Sequence, residues 1–128
     1  MQFRNVIASV ELATAITAMI LDYTNKYHAE NMENQRRGSL VAKLAEEMFH
    51  AIQRDGHKLG IVIFRTTLKH QMEFRDGGWV GTAEIGGWGY SIYAIYWGWI
   101  RNDDERGFEN WCVCGYQRQF DNVINIDQ

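Results

Sequence analysis

The stretch GGWGYSIYAIYWGWI, residues 86–100, most constrains the fold. It holds three tryptophans and three tyrosines in fifteen positions. Aromatic and β-branched residues suit a pleated strand. A strand with one wet face alternates apolar with polar residues. Here both parities are apolar, which predicts a central strand covered on both faces.

Gly86-Gly87 is a two-residue hairpin signal, because glycine takes positive φ at both central positions at no steric cost. That turn sets Ile85 opposite Trp88, Ala83 opposite Tyr90, Gly81 opposite Ile92 and Trp79 opposite Ala94, all on one face. Small residues oppose large ones there, which predicts the inner, helix-facing side. Carried through the polar loop RNDDERG, with Ile100 opposite Phe108, the register places Tyr96 against Cys112 and Ala94 against Cys114 on the same side. The other face collects Tyr93, Ile95, Trp97 and Trp99, with Trp111 and Val113 from the next strand.

The first half of the chain reads as helices. Helix one runs from near Ser9, a capping residue, to about Asn31. Leu12, Ile16, Met19 and Tyr23 form its stripe, widened by Val10, Ala13, Ile20 and Tyr27. The preceding QFRNVIA is compatible with a short strand, and HAENMENQRRG reads as a polar connection. Helix two is expected to open at Ser39 and close at Asp55-Gly56, with Val41, Leu44, Ala45, Met48, Phe49 and Ile52 on one apolar face. Strand signals follow in LGIVIFRTT and HQMEFR, a turn at Asp76-Gly77-Gly78, then WVGTAEI, the aromatic stretch, FENWCVCGYQRQF and NVINI. The expected fold is α+β, with two N-terminal helices on one face of an antiparallel, mainly meandering sheet of four to six strands. At 128 residues the chain reads as a single domain over 1–128.

No stretch reaches the roughly 20 apolar residues of a membrane span. Val6–Leu21 fails as a signal-peptide core, since Glu11 interrupts it and only Arg4 is basic before it. A cytoplasmic protein is therefore expected. Cys112 and Cys114 would point the same way in a strand, with Cα atoms about 6.5–7 Å apart, at the limit for a disulfide. They read as small core residues. The four histidines show neither an i, i+4 pair nor H-E-x-x-H, and no metal or cofactor is expected.

A net charge of −3 disfavours a nucleic-acid partner. Residues 36–75 nevertheless carry eight basic and four acidic side chains, a balance of +4 that leaves −7 elsewhere. RRGS, Arg36–Ser39, falls where helix two is expected to begin, and a helix start with adjacent arginines can hold an anion. Arg36, Arg37, Ser39 and Arg65 are the candidate anion-binding residues.

Three readings follow for the tryptophan-bearing face: closure by the chain's own strands, back-to-back packing with a second copy, or stacking of a ligand. Tyr93, Trp97, Trp99 and Trp111 are the candidate ligand or interface residues. No G-x-S-x-G, phosphate-loop or dinucleotide motif is present. The combined expectation is a non-enzymatic binding protein acting as a homo-oligomer, for a small anionic or nucleotide-like ligand or a partner protein. In style it is like an accessory protein of phages or mobile elements. The alternatives are a small hydrolase pairing a histidine with a carboxylate or cysteine, and an inhibitor or immunity-type protein.

Overall fold

The computed structural model describes residues 10–29 and 31–127. Ser9 and QFRNVIA, expected as cap and short strand, lie outside the described residues. Two helices, α1 (Val10–Tyr27) and α2 (Asn34–Arg54), precede six strands: β1 (Gly60–Arg65), β2 (His70–Ile85), β3 (Trp88–Asn102), β4 (Trp111–Cys114), β5 (Gln117–Phe120) and β6 (Val123–Ile126). The strands form one antiparallel sheet ordered β4-β1-β3-β6-β5, and β2 lies along the other edge of β3. α1 packs on β2, and α2 on β1 and β4. The α+β reading holds.

The helical stripes fall where the 3.6-residue period sets them. Leu12, Ile16, Ile20 and Tyr23 are buried in α1, and Val41, Leu44, Ala45, Met48 and Ile52 in α2. α2 begins at Asn34, five residues before the expected start. Ser39 is thus interior, its Oγ donating to the Gln35 carbonyl at 3.1 Å rather than capping a terminus. Gly38 is tolerated mid-helix because a Cβ there would crowd Phe108 at 3.1 Å and the Glu109 amide at 3.2 Å.

Gly86 (φ 61) and Gly87 (φ 80) make the expected turn between β2 and β3. Both helices grip it. The Gly86 and Gly87 amides donate to the Tyr27 and His28 carbonyls at 2.8 and 3.0 Å, satisfying groups that the end of α1 would leave orphaned. The first three register pairs are as expected: Ile85 with Trp88, Ala83 with Tyr90, Gly81 with Ile92. Gly81 also lets α1 approach, since a Cβ there would meet Ile20 at 2.9 Å.

The fourth pair is not. A bulge between Trp79 and Gly81 shifts the register by one, so Trp79 pairs with Tyr93 instead of Ala94. One extra residue sends every side chain beyond it to the opposite face. Nor does Asp76-Gly77-Gly78 turn the chain: β2 runs through it unbroken. Asp76 takes φ 51, and Gly77 lies so close to Ile95 that a side chain could not fit. The strand therefore bends there instead of reversing. β4 pairs with β1, Cys112 opposite Ile63 and Cys114 opposite Ile61. The expected pairing of β4 with β3 is replaced by β6, which sets Ile124 opposite Ile100.

Two cores result. The inner one joins both helices to Ile61, Ile63, Ala83, Tyr90, Ile92, Ala94 and Cys112. The outer one gathers Val62, Phe64, Leu68, Ile95, Ile100, Trp111, Ile124 and Ile126, with Phe74, Tyr93, Val113 and Tyr116 packed against it. Ile95 and Ile100 are five residues apart, an odd step, yet share this core. In a regular strand they would face opposite ways. β3 thus changes face between them, at the bend set by Asp76 and Gly77 on its neighbour. The second face of the sheet is closed by the chain itself.

Ile95→Ala and Ile100→Ala are each expected to lower stability by about 2–5 kcal/mol, the cost of a cavity at a fully buried isoleucine. Urea denaturation of the two variants checks this. A loss below about 0.5 kcal/mol at either would place that residue on the surface and refute the change of face.

Candidate functional site

The four aromatic residues expected on one face do not share it. Trp111 is 3% exposed in the outer core, its indole N–H donating to the Arg106 carbonyl at 3.1 Å. Tyr93 lies at the margin of that core, stacked on Phe64 at 5.7 Å and met edge-on by Phe74 at 5.3 Å. Trp97 and Trp99 alternate with Gly98 and Ile100 and so point away from it. The Arg75 guanidinium covers Trp97 at 4.7 Å. The expected platform of Tyr93, Trp97, Trp99 and Trp111 is thus divided by the bend in β3.

A different aromatic surface replaces it. Met72, Phe74, Trp79 and Tyr93 wall a groove of about 620 Å3, floored by Gly77 and Gly78 and edged by Arg75 and Asp76. Trp79 is 49% exposed and Met72 36%. Tyr93 alone was singled out from sequence. Trp79 was placed on the inner face, because nothing in WVGTAEI marks the bulge except Gly81, which also fits a close helix contact.

The anion candidates also separate. Arg36 lies in the first turn of α2, which begins at Asn34, and Ser39 in the second. Arg37 and Arg65 converge on Trp88, with guanidinium carbons 4.2 and 4.9 Å from the ring centroid. Arg37 is 8% exposed and structural: Nε and Nη2 both donate to the Gly86 carbonyl, at 3.1 and 2.6 Å, and Nη1 to Asn34. It ties α2 to the hairpin turn. Arg65 is less committed. Its Nη2 lies 3.5 Å from an Asp104 carboxylate oxygen, and its buried Nε meets no acceptor among the described residues. Beside them the Tyr90 hydroxyl donates to the Glu109 carbonyl at 2.7 Å. Burial raises the Tyr90 pKa, although Arg37 and Arg65 pull it the other way.

Cys112 and Cys114 are free thiols on the inner side, as expected, although they reach it by pairing with β1 and not with β3. Burial pushes Cys112 up to about 12, helped by Cys114 and Glu46, and burial also raises Cys114. Both are protonated at neutral pH and poor nucleophiles. Among the described residues no group of three or more His, Cys, Asp or Glu could hold a metal. The histidines are dispersed. His28 and His70 each contact a backbone carbonyl at 2.7 Å, and His50 sits beside Phe49. His57 meets Asp55 at 3.4 Å, at a cleft that Lys58, Asp76 and Tyr96 also line. No described helix is long and apolar enough to cross a membrane.

Comparison with protein-family models, with curated proteins and with solved structures finds no match.

Arg37→Met strips the Gly86 carbonyl of both guanidinium donors. It is expected to cost about 2–3 kcal/mol in urea denaturation, and an effect under about 0.5 kcal/mol would contradict the clamp. A second expectation concerns alkaline pH. Cys112, Tyr23 and Tyr90 all have folded pKa values raised by burial, so folding favours their neutral forms. Their contribution is complete below the unfolded values of about 9 to 10 and is lost as pH rises through the folded ones. The denaturation midpoint should hold to about pH 8.5 and fall above about pH 9; a midpoint flat to about pH 11 would contradict it.

Proposed function

We propose that the protein is a non-enzymatic binding protein whose working surface is the groove walled by Met72, Phe74, Trp79 and Tyr93. The observation that supports this most is the half-exposed Trp79. Both long strands beside it have closed their other faces with the chain's own residues, yet this ring is left against a glycine floor. Gly77 brings β2 against Ile95 of β3 at the floor of the groove. Aromatic rings present flat π-faces at its wall, and such faces stack planar ligands at about 1–3 kcal/mol per base. The ligand class is a flat, π-rich small molecule of nucleobase type. Arg75 and Asp76 at the edge supply a donor and an acceptor for orientation.

Self-association through the same groove is a second reading, favoured by Met72 lying exposed beside Trp79. It uses a smaller surface than a back-to-back sheet would, because the outer core is already covered. A hydrolase reading has less support. His57 and Asp55 form a contact within one surface turn, while both thiols face the inner core.

Adenosine titrated into isotopically labelled protein is expected to shift the Trp79 indole and Tyr93 resonances saturably. Trp79→Ala should weaken that binding about tenfold and leave the fold intact. Shifts confined to other surfaces, or none at millimolar adenosine, would refute the ligand reading. A wild-type mass of two chains that falls to one in Trp79→Ala would favour self-association.

A further inference from the structure

At the opposite side of the sheet from the aromatic groove, the end of β1 and the β2–β3 turn enclose a cleft of about 410 Å3. Its lining is Arg65, Thr66, Thr67, Gly87, Trp88 and Gly89. Arg65 follows Ile61 and Ile63 along β1 on the inner parity, and pairs with Tyr90 across the sheet. Tyr93 of the groove stands on the other parity. The two sites are therefore independent.

Four observations converge on this cleft. Two guanidiniums, Arg37 and Arg65, lie over the one indole of Trp88. Among the described residues the carboxylate paired with Arg65 is that of Asp104, and it stands at 3.5 Å, the outer limit for a hydrogen bond. Among the described residues that is the one hydrogen bond the Arg65 guanidinium makes, and its buried Nε–H has no acceptor there. Asn110 is 1% exposed, and its backbone carbonyl accepts from the Arg65 amide at 2.8 Å. That bond anchors the arginine's backbone, while the Asn110 Oδ1 is itself unpartnered. A buried guanidinium N–H without an acceptor is costly unless something engages it. The neighbouring Thr66 and Thr67 add hydroxyl donors at the same opening.

We infer that this cleft binds a phosphoryl group, with Arg65 as the charged anchor and Thr66 and Thr67 as hydroxyl donors. A tetrahedral oxyanion accepts several hydrogen bonds at once and suits a guanidinium fork. Asp104 is the displaceable competitor: its long contact to Arg65 gives way when an anion of higher charge enters. Arg37 is spent on Gly86 and contributes charge alone. The volume admits a free phosphate or a small phosphate monoester.

The test follows the Arg65 Nε–H resonance of the folded protein while inorganic phosphate, glycerol phosphate or acetate is added. Saturable shifts with either phosphate, and at least tenfold weaker binding of acetate, are expected. Saturation by inorganic phosphate alone identifies the free ion, and tighter binding of glycerol phosphate identifies an ester. Arg65→Gln should abolish the response, read from Trp88 and Thr67 resonances. Thr67→Val, at the rim, should weaken it about three- to tenfold without loss of folding. Trp79→Ala should leave phosphate binding unchanged, so that failure here is separate from failure at the groove. No saturable shift, equal binding of acetate, or unaltered binding in both Arg65→Gln and Thr67→Val would overturn the inference.

Discussion

One strand carries the architecture. β3 is apolar on both parities and hydrogen-bonded along both edges, to β2 throughout and to β1 and then β6 on the other side. Burying such a strand on one face alone would leave several large aromatic and aliphatic side chains in water, at about 1.5–3 kcal/mol each. The chain avoids this by making two cores that share β3 as a wall. The helices supply the first. Strands β4 and β6, Leu68 and Phe74 close the second.

The bend in the β2–β3 pair makes that economy workable. Asp76 in the left-handed region and the tight approach of Gly77 to Ile95 let the pair curl. Ile95 and Ile100 then reach the same core from an odd separation. The cost is an unshielded stretch at the curl itself, where Trp79 and Met72 meet water beside the groove. The candidate ligand surface is thus a by-product of how β3 is covered. The guanidinium pair on Trp88 arises at the far end, where Arg37 holds the hairpin turn to α2 and Arg65 ends β1.

Much of this was legible in the chain. The two helical stripes, the Gly86-Gly87 turn, the first three cross-strand pairs and the shared side of the two cysteines follow from periods of 3.6 and 2 and from glycine's φ freedom. The need to cover both faces of 86–100 was legible too. Two failures arise in the β2–β3 pair, one from a bulge and one from a bend. The bulge before Gly81 moved Trp79 to the other face, and the change of side after Ile95 separated Trp97 and Trp99 from Trp111. Period-2 counting has no signal for either event. Asp76-Gly77-Gly78 has the composition of a turn, yet both its neighbours pair with one strand, so tertiary pairing overrode local preference. The start of α2 was misplaced because Gly38 looks like a boundary, whereas it is a packing glycine against Phe108. Arg37 and Arg65 were both singled out as charges, but their meeting on Trp88 depends on long-range contacts that spacing cannot reveal.

Amide hydrogen exchange measured across a hundredfold range of protein concentration tests the shared-wall account most directly. If one chain closes both cores, the amides of Ile92, Ile95 and Ile100 and those of β6 exchange only through global unfolding, with protection independent of concentration. Fast exchange from Ile95 onward, or protection that grows with concentration, would mean that the second core is open in the single chain and needs another molecule to close it.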